Sequence, residues 1–183
     1  MLTRRTWLAL GGILAGAMVA SAVQAGRART GRAVPAIHDI TTDTQDPPLF
    51  VDVLPHRRGA WNPPEYDGEA VAAQQRAAWP DLKPLDTPIA RTRVHEIARD
   101  VIARAGWHLV GDDVAAGRLE AIATTRVLRF KDDVVVRLRD RAEGGTRVDV
   151  RSKSRIGRSD LGTNARRIRT YLADLRTSLE SAR

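Results

Sequence analysis

The chain holds 183 residues, 43% of them apolar and 28% charged, the make-up of one modest globular domain rather than a disordered chain. It has no cysteine, which excludes disulfide staples, thiol catalysis and cysteine-bound zinc or iron–sulfur centres. The net charge of +8 comes from 30 basic residues, 27 of them arginine and three lysine (Lys83, Lys131, Lys153), against 22 acidic ones. With heavy alanine use, that skew matches the compositional drift of a GC-rich genome. Read functionally, it attracts an anionic partner such as a lipid headgroup, a phosphate or a polyanion. Aromatic residues make up only 4%, too few for a row of stacked bases, and nucleic acid is set aside as a partner.

The N-terminus is short and positive, and residues 6–25 then run twenty long without a charge. Small residues follow, with Ala22 and Ala25 as candidate cleavage points, the three-part layout of an export signal. The opening T-R-R-T-W-L-A resembles a twin-arginine translocation signal, with Arg4-Arg5 followed by apolar Trp7 and Leu8. Trp7 replaces the usual phenylalanine, and Ala9 stands where lysine is common. A general secretory signal fits the same layout. So does an uncleaved membrane anchor, since a spanning helix needs roughly 20 apolar residues. Each places the remainder outside the cytoplasm, in the periplasm or on the outer face of the inner membrane. Beyond residue 25 the balance is 28 basic to 22 acidic, a net of +6.

Residues 26–36 read as a basic tether with Arg27, Arg29 and Arg32, and residues 37–183 as a single domain. The stretch 37–64 is dense in turn formers, from Pro47-Pro48 to Pro63-Pro64, which argues against a long helix or a central strand. It is expected to be an ordered arm packed across the domain, with a short strand at 49–54 and Ile37, Ile40, Phe50, Val51 and Trp61 to bury. A helix is expected over 68–78, capped by Asp67 and ended by Pro80. A second, capped by Thr87 with Pro88 in its first turn, carries Ala90, Val94, Ile97, Val101 and Ala105 on one face and stops at Gly106.

Strand signals follow at 107–110, 119–127, 134–139 and 148–154, broken by turns at Gly111-Asp112, Lys131-Asp132 and Glu143-Gly144-Gly145. Val134, Val136 and Leu138 alternate with Val135, Arg137 and Arg139, and Val148 and Val150 with Arg147, Asp149 and Arg151. One sheet face is therefore apolar and the other largely charged. Pairing Val136 with Val150 sets Arg137 opposite Asp149. Leu161, Ala165, Ile168, Leu172, Leu175 and Leu179, spaced four and three apart, predict a last helix packed on the sheet, with Arg166, Arg169 and Arg176 facing away. The fold class is α+β: an antiparallel sheet of about four to five strands, two main helices on one face, and a proline-rich N-terminal arm.

Two segments gather groups able to do chemistry. S-K-S-R-I-G-R-S-D-L-G, residues 152–162, leaves the last strand and enters the final helix. Free amides at a helix start attract anions, and Arg151, Ser152, Ser154, Arg155, Arg158, Ser159 and Asp160 would complete an anion-binding turn around Gly157. The competing structural role is that Asp160 or Ser159 caps those amides while Arg155 pairs with a carboxylate. I-H-D-I-T-T-D-T-Q-D-P-P, residues 37–48, brings His38, Asp39, Thr41, Asp43 and Asp46 together, as a base or metal ligands or as ordinary turn formers. His56 sits in a loop, and His95 and His108 fall at the edge of the expected core. There is no nucleophile elbow, H-E-x-x-H motif, phosphate loop or dinucleotide fingerprint, and no cofactor is implied.

These two segments, together with R-F-K-D-D-V-V-V-R-L-R at 129–139, resemble the bacterial family catalogued as domain of unknown function 1499, over residues 37–175. The family brings no established activity, substrate or cofactor. The resemblance marks His38, Asp39, Thr41, Asp43, Arg151, Ser152, Ser154, Arg155, Gly157, Arg158, Asp160 and Asn164 as the positions to test.

The leading expectation is a non-enzymatic envelope protein whose 152–162 turn holds an anionic group. The alternatives are a metal-assisted hydrolase built on His38 and Asp39, and a structural module docking a membrane partner. The targeting signal is tested by changing Arg4 and Arg5 together to lysine: the protein should then be retained in the cytoplasmic fraction, and unchanged export would remove the twin-arginine assignment.

Overall fold

A computed structural model describes residues 34–125 and 128–182; the expected export segment, and the tether up to residue 33, lie outside the described residues. Six antiparallel strands form one sheet: β1 (Asp39–Thr41), β2 (Leu85–Thr87), β3 (His108–Asp113), β4 (Arg118–Thr124), β5 (Lys131–Asp140) and β6 (Thr146–Ser154). The order is β1-β6-β5-β4-β3, and β2 shares the outer edge of β6 with β1. Three helices accompany it: α1 (Glu69–Ala78), α2 (Arg91–Arg104) and α3 (Thr163–Ser181). This is an α+β fold. Among the described residues no helix is long and apolar enough to cross a membrane.

The hairpin register is the expected one, with Val136 opposite Val150 and Arg137 opposite Asp149. Side chains alternate along a strand, so this register sends Val134, Val136, Leu138, Val148 and Val150 to one face. There they pack with Val94, Ile97, Ala98, Val101 and Ile102 of α2 and with Ala165, Ile168, Leu175 and Leu179 of α3. Tyr171 adds to this core: it stacks on Trp107 with ring centroids 5.3 Å apart and donates its hydroxyl to Ala98 O. The four-three spacing of the last helix is thus a sheet-packing stripe. Leu161, expected at its head, lies before the helix and is exposed.

The arm lies over the other face, where Phe50 and Val53 meet Ile122 and Val135. Residues 49–54 form no strand; a short 3-10 turn at Leu54–His56 follows instead. The reason is a side chain on β4: the buried Glu120 carboxylate accepts the Val51 and Val53 amides at 2.8 and 2.9 Å, replacing strand partners. Ile37, Ile40 and Phe50 are buried as expected, whereas Val51 and Trp61 point outward.

Both expected helix caps do other work. Asp67 accepts from Lys153, and α1 starts after Gly68. Thr87 belongs to β2, and α2 starts four residues later, at Arg91. The two edge strands, three residues each, were not anticipated. The backbone of β1 is closed off by α1: Gln75 accepts from Thr41 N at 2.9 Å and donates to Thr41 O at 2.6 Å, which blunts an edge otherwise open to pairing.

Gly111, expected in a turn, lies inside β3 at a register shift against β4. A Cβ there would run into the side chain of Asp52, which the arm lays across the strand toward Arg118. Gly111→Ala should therefore lift this part of the arm and lower stability by about 1–3 kcal/mol, the usual range for overpacking. The urea midpoint of the variant measures it; a value equal to wild type would mean that the arm is not pressed against β3.

Candidate functional site

Strand alternation divides the expected anion-binding turn. Ser152 and Ser154 face α3, while Arg151, Lys153 and Arg155 face the arm, so the groups adjacent in sequence point to opposite sides of the sheet.

On the arm side Arg151 is fully buried. Its Nε and Nη2 donate to the two Asp39 carboxylate oxygens at 2.9 and 2.8 Å, and its remaining donors reach Pro48 O and Pro64 O at 3.0 and 2.9 Å. The guanidinium lies 4.6 Å from the Phe50 ring centroid and 5.4 Å from that of Tyr66. Burial, with the Asp39 charge beside it, pushes the Tyr66 hydroxyl up to about 12. Lys153, also buried, donates to Asp67 at 2.6 Å and Glu65 O at 2.6 Å and lies 3.1 Å from Asp39. Two cations and two carboxylates thus balance in one enclosed group. His38 lies at its margin, with Nε2 3.3 Å from Asp67 but without hydrogen-bond geometry.

Arg155 places Nε and Nη2 on one oxygen of Asp133, Oδ1, at 2.9 and 2.7 Å, and Arg57 of the arm pairs with the other oxygen of that carboxylate. Burial pushes the Asp133 carboxyl up against the pull of both guanidinia. Further along the same face Asp149 meets Arg137 and Arg139, which also hold Asp43 and Asp46. Burial raises the Asp43 carboxyl, but the Asp46 and Gln45 amides and the Arg139 and Arg137 charges outweigh it and hold the group below the usual carboxylate range.

On the helix side Asn164 organises the turn. It accepts from the Ser152 hydroxyl at 2.7 Å and donates to Ser154 Oγ and His38 O at 3.0 and 2.9 Å. Arg167 reaches Asp132 at 2.6 Å and Ser152 Oγ at 3.0 Å. Asp160 accepts from Gly162 N and Asn164 N at 2.8 and 2.7 Å, so the start of α3 is capped by the chain's own carboxylate, and burial raises that carboxyl. The amides expected to cradle an anion are thus bonded by Asp160, and Arg151 and Arg155 are paired with carboxylates. Arg158 is the exception, exposed and without an ion pair among the described residues.

The His38 segment also disperses. Asp39 turns to Arg151, Asp43 to Arg137 and Arg139, His38 toward Asp67, and the Thr41 hydroxyl closes a local turn with Asp43. Among the described residues no three His, Asp or Glu side chains converge as metal ligands would. The Ser152 and Ser154 hydroxyls are held by Asn164 rather than by a histidine. His95 is buried and bonded to Asp112 at 2.6 Å, and His56 and His108 are exposed.

What the turn offers instead is a cleft of about 410 Å³ at the end of the sheet. Leu128 and Phe130 of the β4–β5 connection line it from one side, Ile156 and Leu161 of the β6–α3 connection from the other, with Ser154 and Asp160 also in the lining. Leu161 adopts φ 53, a left-handed conformation uncommon outside glycine, at the point where the Asp160 cap turns the backbone. Leu128 and Phe130 escaped the sequence reading as site residues; the signal was L-R-F-K, apolar and basic residues alternating where a turn was expected. A larger open groove of about 940 Å³ runs between residues 42–45, α1 and the approach to β2. Its charges are largely internal pairs, Arg76 with Glu69 and Arg147 with Asp86.

Buried pairs and exposed cations should respond differently to truncation. Arg151→Ala or Arg155→Ala strands a buried carboxylate and should lower unfolding free energy by roughly 3–5 kcal/mol, whereas Arg158→Ala should stay within about 0.5 kcal/mol. Chemical denaturation of the three variants checks this; a mild effect at Arg151 would contradict its structural role.

No curated protein matches the chain. The family model described as protein of unknown function (DUF1499) matches residues 39–175, which span the sheet, the charged face under the arm and most of α3. The chain belongs to that family.

Proposed function

We propose that this is an exported, non-enzymatic binding protein of the cell envelope, whose ligand site is the cleft between the β4–β5 and β6–α3 connections. The carrying observation is that this cleft has exposed apolar walls while Arg158 beside it lacks a carboxylate partner among the described residues. Apolar walls and an unneutralised cation suit an amphiphile: a short apolar segment between the walls and an anionic head near Arg158. The non-enzymatic part is supported by the side chains that could have served as nucleophile or base. Ser152 and Ser154 are bonded to Asn164, Asp39 and Asp133 to arginines, and Asp160 to backbone amides. The export part is supported by Arg4-Arg5 and the uncharged run behind them.

The test is a titration with dihexanoylphosphatidylglycerol below the concentration at which it forms micelles, followed by amide NMR shifts. Saturable shifts should gather at residues 128–130 and 154–163. Arg158→Ala should weaken binding about tenfold, the loss of one charge-assisted hydrogen bond, with an unchanged urea midpoint. Equal affinity in mutant and wild type, or no saturable shift, would remove the site.

A further inference from the structure

We infer that the cleft end of the folded unit docks on the surface of an anionic lipid bilayer, with Trp61, Leu128, Phe130, Ile156 and Leu161 among the headgroups. This rests on the proposed function, taking the same end as the binding end and naming its ligand as a membrane surface.

Five large apolar side chains are exposed together here: Trp61 78%, Leu128 66%, Leu161 66%, Phe130 47% and Ile156 39%. Trp61 comes from the arm, yet it belongs to this end. Its amide and that of Asn62 donate to Arg155 O at 2.9 and 3.0 Å, and the Asn62 side chain clamps Ser154 O and Gly157 O. The opposite end of the sheet carries the β3–β4 and β5–β6 turns, where Val114 is exposed, and Leu49, Val51 and Leu54 are exposed along the arm between the two ends. Apolar side chains gathered at one end of a domain mark an interaction surface.

Charge identifies the surface it meets. Arg58, Arg129, Lys131 and Arg158 stand exposed in or beside the same connections, with no ion pair among the described residues. The 125–130 connection contains no acidic residue, and the one in 155–162, Asp160, is bonded to the start of α3. Apolar tips interleaved with cations suit the headgroup region of an anionic bilayer, where tryptophan also prefers to sit.

The path of the chain points the same way. Ile37 O accepts from Asp160 N at 3.2 Å and His38 O from Ser154 N at 3.0 Å, so the backbone comes into the fold at the cleft's own turn. Upstream in the sequence are Arg27, Arg29 and Arg32 and then the uncharged run 6–25. Eleven tether residues reach roughly 40 Å at full stretch, so an N-terminus held in a bilayer keeps this end within reach of it.

The absence of cysteine makes the test direct, because Leu161→Cys and Val114→Cys each introduce a unique thiol for an environment-sensitive dye. The labelled full chain is reconstituted into phosphatidylcholine vesicles with or without phosphatidylglycerol. The dye at position 161 should shift to shorter wavelength and be quenched by brominated lipid when phosphatidylglycerol is present, and the dye at 114 should do neither. Adding Leu128→Asp and Phe130→Asp should cut the docked fraction about tenfold. An unresponsive dye at 161, or equal responses at both positions, overturns the docking surface. If soluble dihexanoylphosphatidylglycerol still binds the cleft in that case, the proposed function stands and only the bilayer inference falls; if it does not bind either, both fall.

Discussion

The fold depends on how a charged sheet face is buried. Arg151, Lys153, Arg155 and Asp133 point away from the helices and would ordinarily face water, yet all four lie beneath the arm. Charges removed from water need partners on every side. Carboxylates supply part of the answer, Asp39 for Arg151 and Asp133 for Arg155. The arm's backbone supplies the rest: Pro48, His56, Pro64 and Glu65 all present carbonyls to these cations. An arm with little regular structure has carbonyls that no ladder uses, and its prolines have no N–H to offer in exchange. Arginine is a donor with no acceptor, so the two chemistries are complementary.

That complementarity changes what the arginine excess means. Taken as bulk charge, 27 arginines suggest a surface made for anions. In the fold, Arg57, Arg151, Arg155 and Arg167 are internal ties, and Arg137 and Arg139 bind the arm's first loop through Asp43 and Asp46. Among the described residues the cations without an ion pair are a minority, and their position carries more information than their number. Four of them, Arg58, Arg129, Lys131 and Arg158, lie where apolar side chains are also exposed, while Lys83, Arg166 and Arg176 lie elsewhere.

Periodic features were legible in the sequence and tertiary ones were not. The valine–arginine alternation of β5 and β6 fixed the hairpin register, and the stripes of α2 and α3 located the main core, because each pattern repeats over several residues. The strands β1 and β2 are three residues long, too short for a period to show. The expected strand at 49–54 failed because Glu120, far away in sequence, takes the amides that a neighbouring strand would have used. The same limit applied to the site. Residues 152–158 look like one basic, hydroxyl-rich cluster when read in line, and only the strand assignment separates Ser152 and Ser154 from Arg151 and Arg155. Asp160 as a cap was legible from local chemistry; Leu128 and Phe130 as a wall required knowing that the β4–β5 and β6–α3 connections meet.

The buried charges and the exposed cleft are mechanically connected. Arg155 is bonded through its side chain to Asp133 and His56 O, while its own carbonyl accepts the amides of Trp61 and Asn62. Asn62 then holds Ser154 O and Gly157 O, the two carbonyls that flank the start of the β6–α3 connection. The wall carrying Ile156 is thus fixed from beneath by an ion pair and from the side by the arm, so it need not rely on apolar contacts of its own. That arrangement leaves Ile156 and Trp61 free to face outward. A patch resting on its own hydrophobic packing would tend to collapse inward, whereas this one is tied to the charged layer under the arm and stays exposed.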